Sequence, residues 1–317
     1  MLKTSYIRCH GSQNRFLMLD AVRQPELLDL AQMPTLVAAL CRCQEACDGL
    51  LLTFREGEHY GMRMFNTDGS EAEMCGNGIR CVARMAQGYL DEQTHFELLS
   101  GGRLHGVVHD QPIFGSIPTY RITIGIRLIS PDFTPTEPTA DGWIARPIPE
   151  LDETLRFTYL NLGNPHLVAE VETIDLQRLT DLGQRVKQLP HLFPHGINVS
   201  LFRHTADQEI YTATYERGVG LTSSCGTAMT ACSTASCLLG LCRTEQQIRV
   251  RNSGGMVHCC CHRTGGRLET DLSGNATYYA AGELVIDPAN QLICSMEQTS
   301  VFDEEIAQYE LFYQSVQ

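Results

Sequence analysis

The chain has 317 residues, of which 43% are hydrophobic, and a formal net charge of −13. Its only lysines are Lys3 and Lys187 and no basic cluster offsets the negative charge, which disfavours nucleic acid as a partner and favours a small molecule. No apolar run approaches the ~20 residues of a membrane helix, and the N-terminus lacks the apolar core of a secretory signal. We therefore expect a cytoplasmic protein with no membrane partner.

The predicted elements fall into two similar series along the chain. The first has helical patterns near 25–40 and after Cys75, and strands at 50–54, 62–66, 96–99, 106–109 and 120–124. The second has strands at 157–162, 166–171, 197–202, 210–215, 248–251, 256–261 and 267–273, and helices over 176–188 and after Cys225. Runs of strands interrupted by one central helix per half predict an α+β fold rather than a doubly wound parallel sheet.

A segment rich in Pro and Asp, at about 129–150, separates the two series and is predicted to be a linker or an excursion. We accordingly expect an N-terminal half at 1–130 that carries Cys75 and a C-terminal half at 131–290 that carries Cys225. A tail at 291–317 follows, which could pack back on the first half.

The 14 cysteines could form disulfides, bind a metal or act as nucleophiles. Disulfides are the least favoured, because the cytoplasm keeps thiols reduced. The metal candidates are Cys41, Cys43 and Cys47, and the run "HCCCH" that starts at His258. Neither has the paired Cys-x-x-Cys spacing of a structural zinc site, and adjacent residues of a strand point to opposite faces. We therefore expect no metal.

Two cysteines, Cys75 in "AEMCGNGIRC" and Cys225 in "SSCGTAMTAC", are each followed by glycine and by a helical pattern. A helix N-terminus favours a thiolate and binds anions such as a carboxylate. Small residues at tight turns are the alternative interpretation, but the matching context of two such cysteines favours chemistry. Two thiols suit removal of an amino acid's alpha proton by a base and its return by an acid on the opposite side.

Several segments resemble one family, the diaminopimelate epimerases and related two-cysteine amino-acid racemases. They are "HGSQNRFLMLD", "MFNTDGSEAEMCGNGIRCVAR", "NLGNPHLV", "GINVSLF" and "YERGVGLTSSCGTAMTA", in the family's order. The resemblance implies two pseudo-symmetric barrel-like halves, each around a central helix, with the active site in the cleft between them. It also implies a homodimer that needs no cofactor and interconverts LL- and meso-2,6-diaminopimelate for lysine and peptidoglycan precursor synthesis, with Cys75 and Cys225 as the acid and base.

Further site residues follow from the same resemblance. The positions that bind the distal amino-acid end of the substrate match Asn14, Asn66, Asn164, Asn198 and Arg217, with Glu216 beside the arginine. The backbone amides that hold the reacting carboxylate match Gly76 and Asn77 in the first motif and Gly226 and Thr227 in the second. His166 is expected beside the catalytic centre.

The chain departs from the family pattern at Gln13 and Arg15, which flank Asn14, and at Gly49, where a glutamine is frequent. These departures leave a single-centre racemase, for histidine or another amino acid, as the alternative. A non-catalytic binding protein or another isomerase of the same fold is a third class. Pyridoxal phosphate chemistry is disfavoured because it requires a well-placed lysine, and Lys3 is terminal while Lys187 lies in a polar helix.

Overall fold

The computed structural model describes residues 1–43, 45, 47–135 and 141–317, and their strands and helices group into two units. Unit 1 contains residues 1–122 and 273–317, and unit 2 contains residues 123–272. The division expected from the sequence, at 130 and 290, stays a prediction. Part of the predicted excursion, residues 136–140, lies outside the described residues.

Unit 1 is built on a series of strands that starts at the N-terminus. The strands are β1 (Leu2–Gly11), β2 (Asn14–Asp20), β3 (Gly49–Glu56), β4 (His59–Asn66), β5 (Glu71–Ala72), β6 (His95–Ser100), β7 (Arg103–Asp110) and β8 (Thr119–Ile126), the last of which runs past the unit boundary. Pairing alternates along the main series: β1–β2 is antiparallel, β2–β3 parallel, β3–β4 antiparallel, β4–β6 parallel and β6–β7 antiparallel.

Three helices of unit 1 lie in its two parallel crossovers. The first crossover holds a 3-10 helix (Pro25–Gln32) and α1 (Pro34–Arg42). The sequence predicts helical structure near 25–40, and the structure has two helices there because Pro34, which has no N–H to continue the first, starts a new one. The second crossover holds α2 (Gly76–Gln87), which contacts β1, β2, β3 and β4 and is buried on most sides.

Unit 2 repeats this plan. Its strands are β9 (Arg146–Ile148), β10 (Asp152–Asn161), β11 (Pro165–Glu170), β12 (Asn198–Ala206), β13 (Glu209–Glu216), β14 (Gly220–Thr222), β15 (Gln247–Asn252), β16 (Gly255–Thr264) and β17 (Arg267–Asn275), which ends in unit 1. From β10 to β16 the pairing is again antiparallel, parallel, antiparallel, parallel and antiparallel, with β9 added beside β10.

The crossovers of unit 2 hold α3 (Leu176–Val186) and α4 (Gly226–Leu238). Asp175 caps α3 by accepting from the N–H groups of Gln177 and Arg178, and the helix packs on the sheet through Leu179 and Leu182. α4 is buried from Gly226 to Ser236 and contacts strands from β10 to β16. The α+β fold class, with one central helix in each of two matching halves, is therefore confirmed.

The C-terminal part of the chain belongs to unit 1. β18 (Thr277–Asp287), β19 (Leu292–Val301) and α5 (Asp303–Ser315) follow β17. β18 pairs antiparallel with β1 as well as with β19, and α5 contacts β18. Within the described residues no helix is long and apolar enough to cross a membrane.

Candidate active site

Cys75 and Cys225 occupy the same place in the two units. Each is the residue that precedes the buried central helix, with an extended backbone (φ −137°, ψ 105° for Cys75; φ −125°, ψ 109° for Cys225). The first turn of a helix leaves backbone N–H groups without intrahelical acceptors, and one of them, Gly78 N–H, donates to Cys75 Sγ at 3.3 Å. A Cβ at position 78 would lie 2.8 Å from Leu51 Cδ2, so any other residue there would have to displace that leucine side chain.

The neighbours of Cys75 are two asparagine side chains. Asn14 comes from the start of β2, and its Oδ1 lies 3.9 Å from Cys75 Sγ. Asn77, in the first turn of α2, donates through Nδ2 to the same oxygen at 3.3 Å. Asn77 is fully buried and Cys75 is partly exposed. The structure therefore brings Asn14 and Asn77 together with Cys75, as a polar cluster around a partly exposed cysteine.

The neighbours of Cys225 are different in kind. The hydroxyl of Thr227 lies 3.4 Å from Cys225 Sγ and accepts from Asn164 Nδ2 at 3.1 Å. His166 Nε2 lies 3.1 Å from both Thr227 Oγ1 and Asn164 Oδ1. All four of these side chains belong to unit 2, and the cluster joins the start of β11 to the first turn of α4.

His166 is a neutral imidazole in this cluster. Its side chain is fully buried, and burial, followed by the charge of Arg217, lowers the pKa of His166 to about 3. Asn164 Oδ1 only accepts hydrogen bonds, so Nε2 carries the ring proton. Nδ1 has no hydrogen-bond partner among the described residues. His166 is thus suited to hold Asn164 and Thr227 in place and unsuited to act as a general base in water.

Arg217 and Asn198 form a second pair in unit 2. Asn198 Oδ1 accepts from the backbone N–H of Arg217 at 2.8 Å, and Arg217 Nη1 donates to the carbonyl of His195 at 2.7 Å. Arg217 directly follows Glu216, the last residue of β13, and is exposed. Its fixed backbone and open guanidinium can take up a carboxylate in a bidentate fork.

The other predicted site residues have local partners. Asn66, at the end of β4, donates through Nδ2 to Ser70 Oγ at 3.0 Å. The carbonyl of Gly76 accepts from Arg80 and that of Gly226 accepts from Thr230, both at 2.9 Å. The backbone N–H groups at the starts of α2 and α4 remain the candidates for holding a carboxylate.

The predicted metal candidates are placed in separate surroundings. Cys41 and Cys47 are buried near each other, with Cys47 N–H bonded to the Cys41 carbonyl at 2.9 Å. His262 of the "HCCCH" run is bonded to the carboxylates of Glu245 and Asp271. In the part of the chain that the structure describes, no group of three or more His, Cys, Asp or Glu is arranged to hold a metal ion.

Two polar residues next to the Cys75 cluster were not predicted from the sequence. Asp48 accepts a hydrogen bond from Asn14 at 3.0 Å, and Arg80 donates to Asn77 Oδ1 at 3.0 Å. Arg80 follows Asn77 by three residues and lies between the buried residues Ile79 and Cys81 of α2; a charged residue among such apolar neighbours is the signal that could have identified it.

Comparison with known proteins gives one consistent result. A family model described as diaminopimelate epimerase matches residues 6–115 and 158–279. The diaminopimelate epimerase of Clostridium acetobutylicum is 32% identical over 318 residues, which cover 99% of this chain and 95% of that protein. That of Enterococcus faecalis is 36% identical over 284 residues, which cover 85% of this chain and 86% of that protein.

Solved structures match in fold at low sequence identity. A phenazine biosynthesis protein of the PhzF family from Bacillus anthracis has a TM-score of 0.64 and 13% identity, covering 90% of this chain and 100% of that chain. A hydroxyproline epimerase from Agrobacterium vitis has a TM-score of 0.62 and 14% identity, covering 91% and 94%. At this identity the likeness concerns the fold alone.

Proposed function

The chain belongs to the diaminopimelate epimerase family and is an isomerase, and we propose that it interconverts LL- and meso-2,6-diaminopimelate with Cys75 and Cys225 as the proton-transferring pair. The observation that carries the proposal is the matching position of the two cysteines, each preceding a buried helix that starts with glycine. The named relatives favour diaminopimelate over the histidine alternative.

The chemistry requires one group to remove the alpha proton and another to return a proton to the opposite face of the carbon. A thiolate at one cysteine acts as the base and a thiol at the other acts as the acid, and the roles exchange when the reaction runs in reverse. The backbone N–H groups at the starts of α2 and α4 hold the carboxylate of the reacting centre, where negative charge builds up as the proton leaves.

The distal amino-acid group of the substrate needs a separate anchor. Arg217 supplies a bidentate contact for its carboxylate, with Asn198 holding the arginine backbone. Asn66 and Glu216 are the further polar residues assigned to this end. This anchor is what distinguishes diaminopimelate from an amino acid with one centre.

The two lysines are engaged elsewhere, which supports a reaction that uses no pyridoxal phosphate. Lys3 forms an ion pair with Glu283 at 2.7 Å and is largely exposed, and the Lys187 ammonium lies 5.9 Å from the centre of the Tyr215 ring. We also propose that the enzyme works in the cytoplasm as a homodimer, as the family resemblance implies. Sedimentation at enzyme concentrations used in assays would test the dimer.

The deciding experiment follows the purified protein with LL-diaminopimelate, meso-diaminopimelate, histidine and alanine in separate reactions that contain EDTA. Chiral chromatography measures the product, and deuterium uptake from heavy water reports exchange at the alpha carbon. We expect turnover of both diaminopimelate isomers and none of the single-centre amino acids. Faster racemisation of histidine than of diaminopimelate would overturn the substrate assignment in favour of the alternative.

A further inference from the structure

Asp48 holds its carboxylate in a fixed position beside Asn14. Its backbone N–H donates to the carbonyl of Arg15 at 2.7 Å, and its Oδ2 accepts from the backbone N–H of Arg15 at 2.7 Å. The same oxygen accepts from Asn14 Nδ2 at 3.0 Å. A carboxylate can only accept hydrogen bonds, so the amino group of Asn14 must face Asp48.

Arg80 fixes the other end of the cluster. Its guanidinium is fully buried, and it donates to the carbonyls of Gly76 at 2.9 Å and Asn275 at 3.1 Å. Its Nη2 donates to Asn77 Oδ1 at 3.0 Å. Because a guanidinium can only donate, the oxygen of Asn77 must face Arg80, which leaves the Asn77 amino group to donate.

The two ends therefore require the same orientation of the amides. The amino group of Asn77 donates to Asn14 Oδ1 at 3.3 Å, and the amino group of Asn14 donates to Asp48. Rotation of either amide by half a turn would bring two donors or two acceptors together. At Asn77, which is buried, each group left unsatisfied in this way costs roughly 1–3 kcal/mol. A cation at one end and an anion at the other thus give the chain of hydrogen bonds a single direction.

This direction decides which atom of Asn14 faces the sulfur. Oδ1 lies 3.9 Å from Cys75 Sγ, where it can accept a hydrogen bond from a thiol but cannot donate one to a thiolate. An amino group in the same place would instead stabilise the thiolate. The N–H of Gly78 donates to the sulfur in either case, whereas the effect of the Asn14 amide on the sulfur depends on its orientation.

We propose that Asp48 and Arg80 are positioning residues that keep the amide oxygen of Asn14 turned toward Cys75, so that Cys75 holds a thiol proton ready for the substrate. The transfer of that proton to the substrate rests on the proposed function. The orientation itself rests on the hydrogen bonds of unit 1.

The test compares Asp48→Ala with Asp48→Asn. Both hydrogen bonds end on one oxygen of Asp48, so the amide oxygen of an asparagine can replace it, whereas alanine offers no acceptor. The control is Glu45→Ala, which removes a negative charge from the same loop, where the Glu45 side chain pairs with Arg15 rather than with Asn14. Both positions, 45 and 48, are exposed, which favours folded variants.

Two measurements are made on each variant. The first is the pH dependence of Cys75 alkylation by iodoacetamide without substrate, followed by peptide mass spectrometry. The second is epimerase turnover. In Asp48→Ala we expect the midpoint of the alkylation profile to move to lower pH and kcat to fall about tenfold, the size of one lost hydrogen bond. Asp48→Asn and Glu45→Ala should keep the wild-type profile and at least about half of kcat.

The inference is overturned if the alkylation midpoint of Asp48→Ala equals that of the wild type. It is also overturned if the midpoint of Asp48→Asn or Glu45→Ala shifts as far as that of Asp48→Ala, since loss of charge alone would then be the cause. The alkylation arm needs no substrate. If the wild-type protein does not turn over diaminopimelate while the profile moves as expected, the proposed function fails and the positioning role stands.

Discussion

The hydroxyl of Thr227 lies 3.4 Å from the sulfur of Cys225, whereas the side-chain oxygen that contacts Cys75 belongs to the amide of Asn14. A hydroxyl can donate to a sulfur or accept from it, and Thr227 already accepts from Asn164, which leaves its proton available for Cys225. The two cysteines share a backbone position but have different side-chain neighbours. The acid and base roles proposed for them would therefore be supported by different residues, which can be tested one at a time.

Replacement of either cysteine should stop the reaction. We expect Cys75→Ala and Cys225→Ala each to reduce epimerisation of both diaminopimelate isomers by at least about a thousandfold, because each direction needs one base and one acid. Serine at either position should leave slow turnover in a folded protein, because an alcohol is a much weaker acid than a thiol. Chiral chromatography from each starting isomer measures this, and wild-type rates in either alanine variant would refute the two-thiol mechanism.

Thr227→Val tests the support of Cys225. Valine keeps the shape of threonine but removes the hydroxyl that contacts Cys225, Asn164 and His166. We expect kcat to fall at least about tenfold, the effect of losing the contact with Cys225 alone. The matched control is Thr234→Val, two turns along α4, where the hydroxyl contacts Thr270 at 2.8 Å. The control should lower the melting temperature but keep kcat, and equal loss of kcat in both variants would mean that the effect is structural.

Arg217→Lys tests the distal anchor. A lysine cannot reproduce the bidentate fork, and loss of a charged contact of this kind costs about 2–5 kcal/mol of binding. We expect kcat/KM for diaminopimelate to fall at least about thirtyfold, mainly through KM, which steady-state kinetics with both isomers will show. Arg203→Lys is the control on the same sheet, an exposed arginine of β12. An unchanged KM in Arg217→Lys would remove Arg217 from the substrate site.

The central part of the fold could be predicted from the sequence because its apolar residues alternate or recur at helical spacing. β1 was not predicted, because Thr4, Tyr6, Arg8 and His10 form its buried face and most of them are polar. β19 was not predicted because nearly all of its residues are exposed, so burial leaves no pattern. α5 buries only Tyr309 and Phe312.

The site shows the same limit. The cysteines are visible in the sequence because each precedes a glycine and a helical pattern that can be read locally. Asp48 is separated from Asn14 by 34 residues, and Arg80 from Asn275 by 195 residues. Such contacts depend on how strands pair, and a single sequence contains no local pattern that reports them.

The C-terminal helix should stabilise unit 1 through one ion pair. Glu305 of α5 accepts from Arg84 of α2 at 2.6 and 2.7 Å, and the Arg84 guanidinium lies 3.8 Å from the centre of the Tyr278 ring. Both side chains are about four-fifths buried (21% and 20% exposed). We expect Glu305→Gln to lower the free energy of unfolding by about 2 kcal/mol, since it leaves a partly buried cation without its partner. Glu304→Gln, on the exposed side of α5, should change it by less than about 0.5 kcal/mol, and urea titration measures both. Equal effects would contradict this role.

The free energy of unfolding should decrease as the pH is lowered, because two histidines are buried in neutral form. Burial lowers the pKa of His166 and of His10 to about 3, whereas an unfolded chain binds the proton near pH 6.5. Their contribution is therefore complete above pH 6.5 and is lost as pH falls from 6.5 toward 3, by about 1.4 kcal/mol per pH unit for each histidine. Between pH 6.5 and pH 5 each one accounts for about 2 kcal/mol.

Urea titrations at pH 7.5, 6.0 and 5.0 measure this loss. His166→Gln keeps a donor near the position of Nε2, and His10→Asn keeps an acceptor near Nδ1, where the N–H of Gln13 donates at 3.3 Å. Neither replacement titrates in this range, so each variant should be less stable at pH 7.5 but lose about 1.4 kcal/mol less per pH unit than the wild type. His59→Gln, at an exposed position, should keep the wild-type slope. If the free energy of unfolding depends on pH as steeply in both buried-histidine variants as in the wild type, other groups cause the acid sensitivity. If the dependence is weaker in only one variant, the histidine replaced in that variant is the one held neutral by burial.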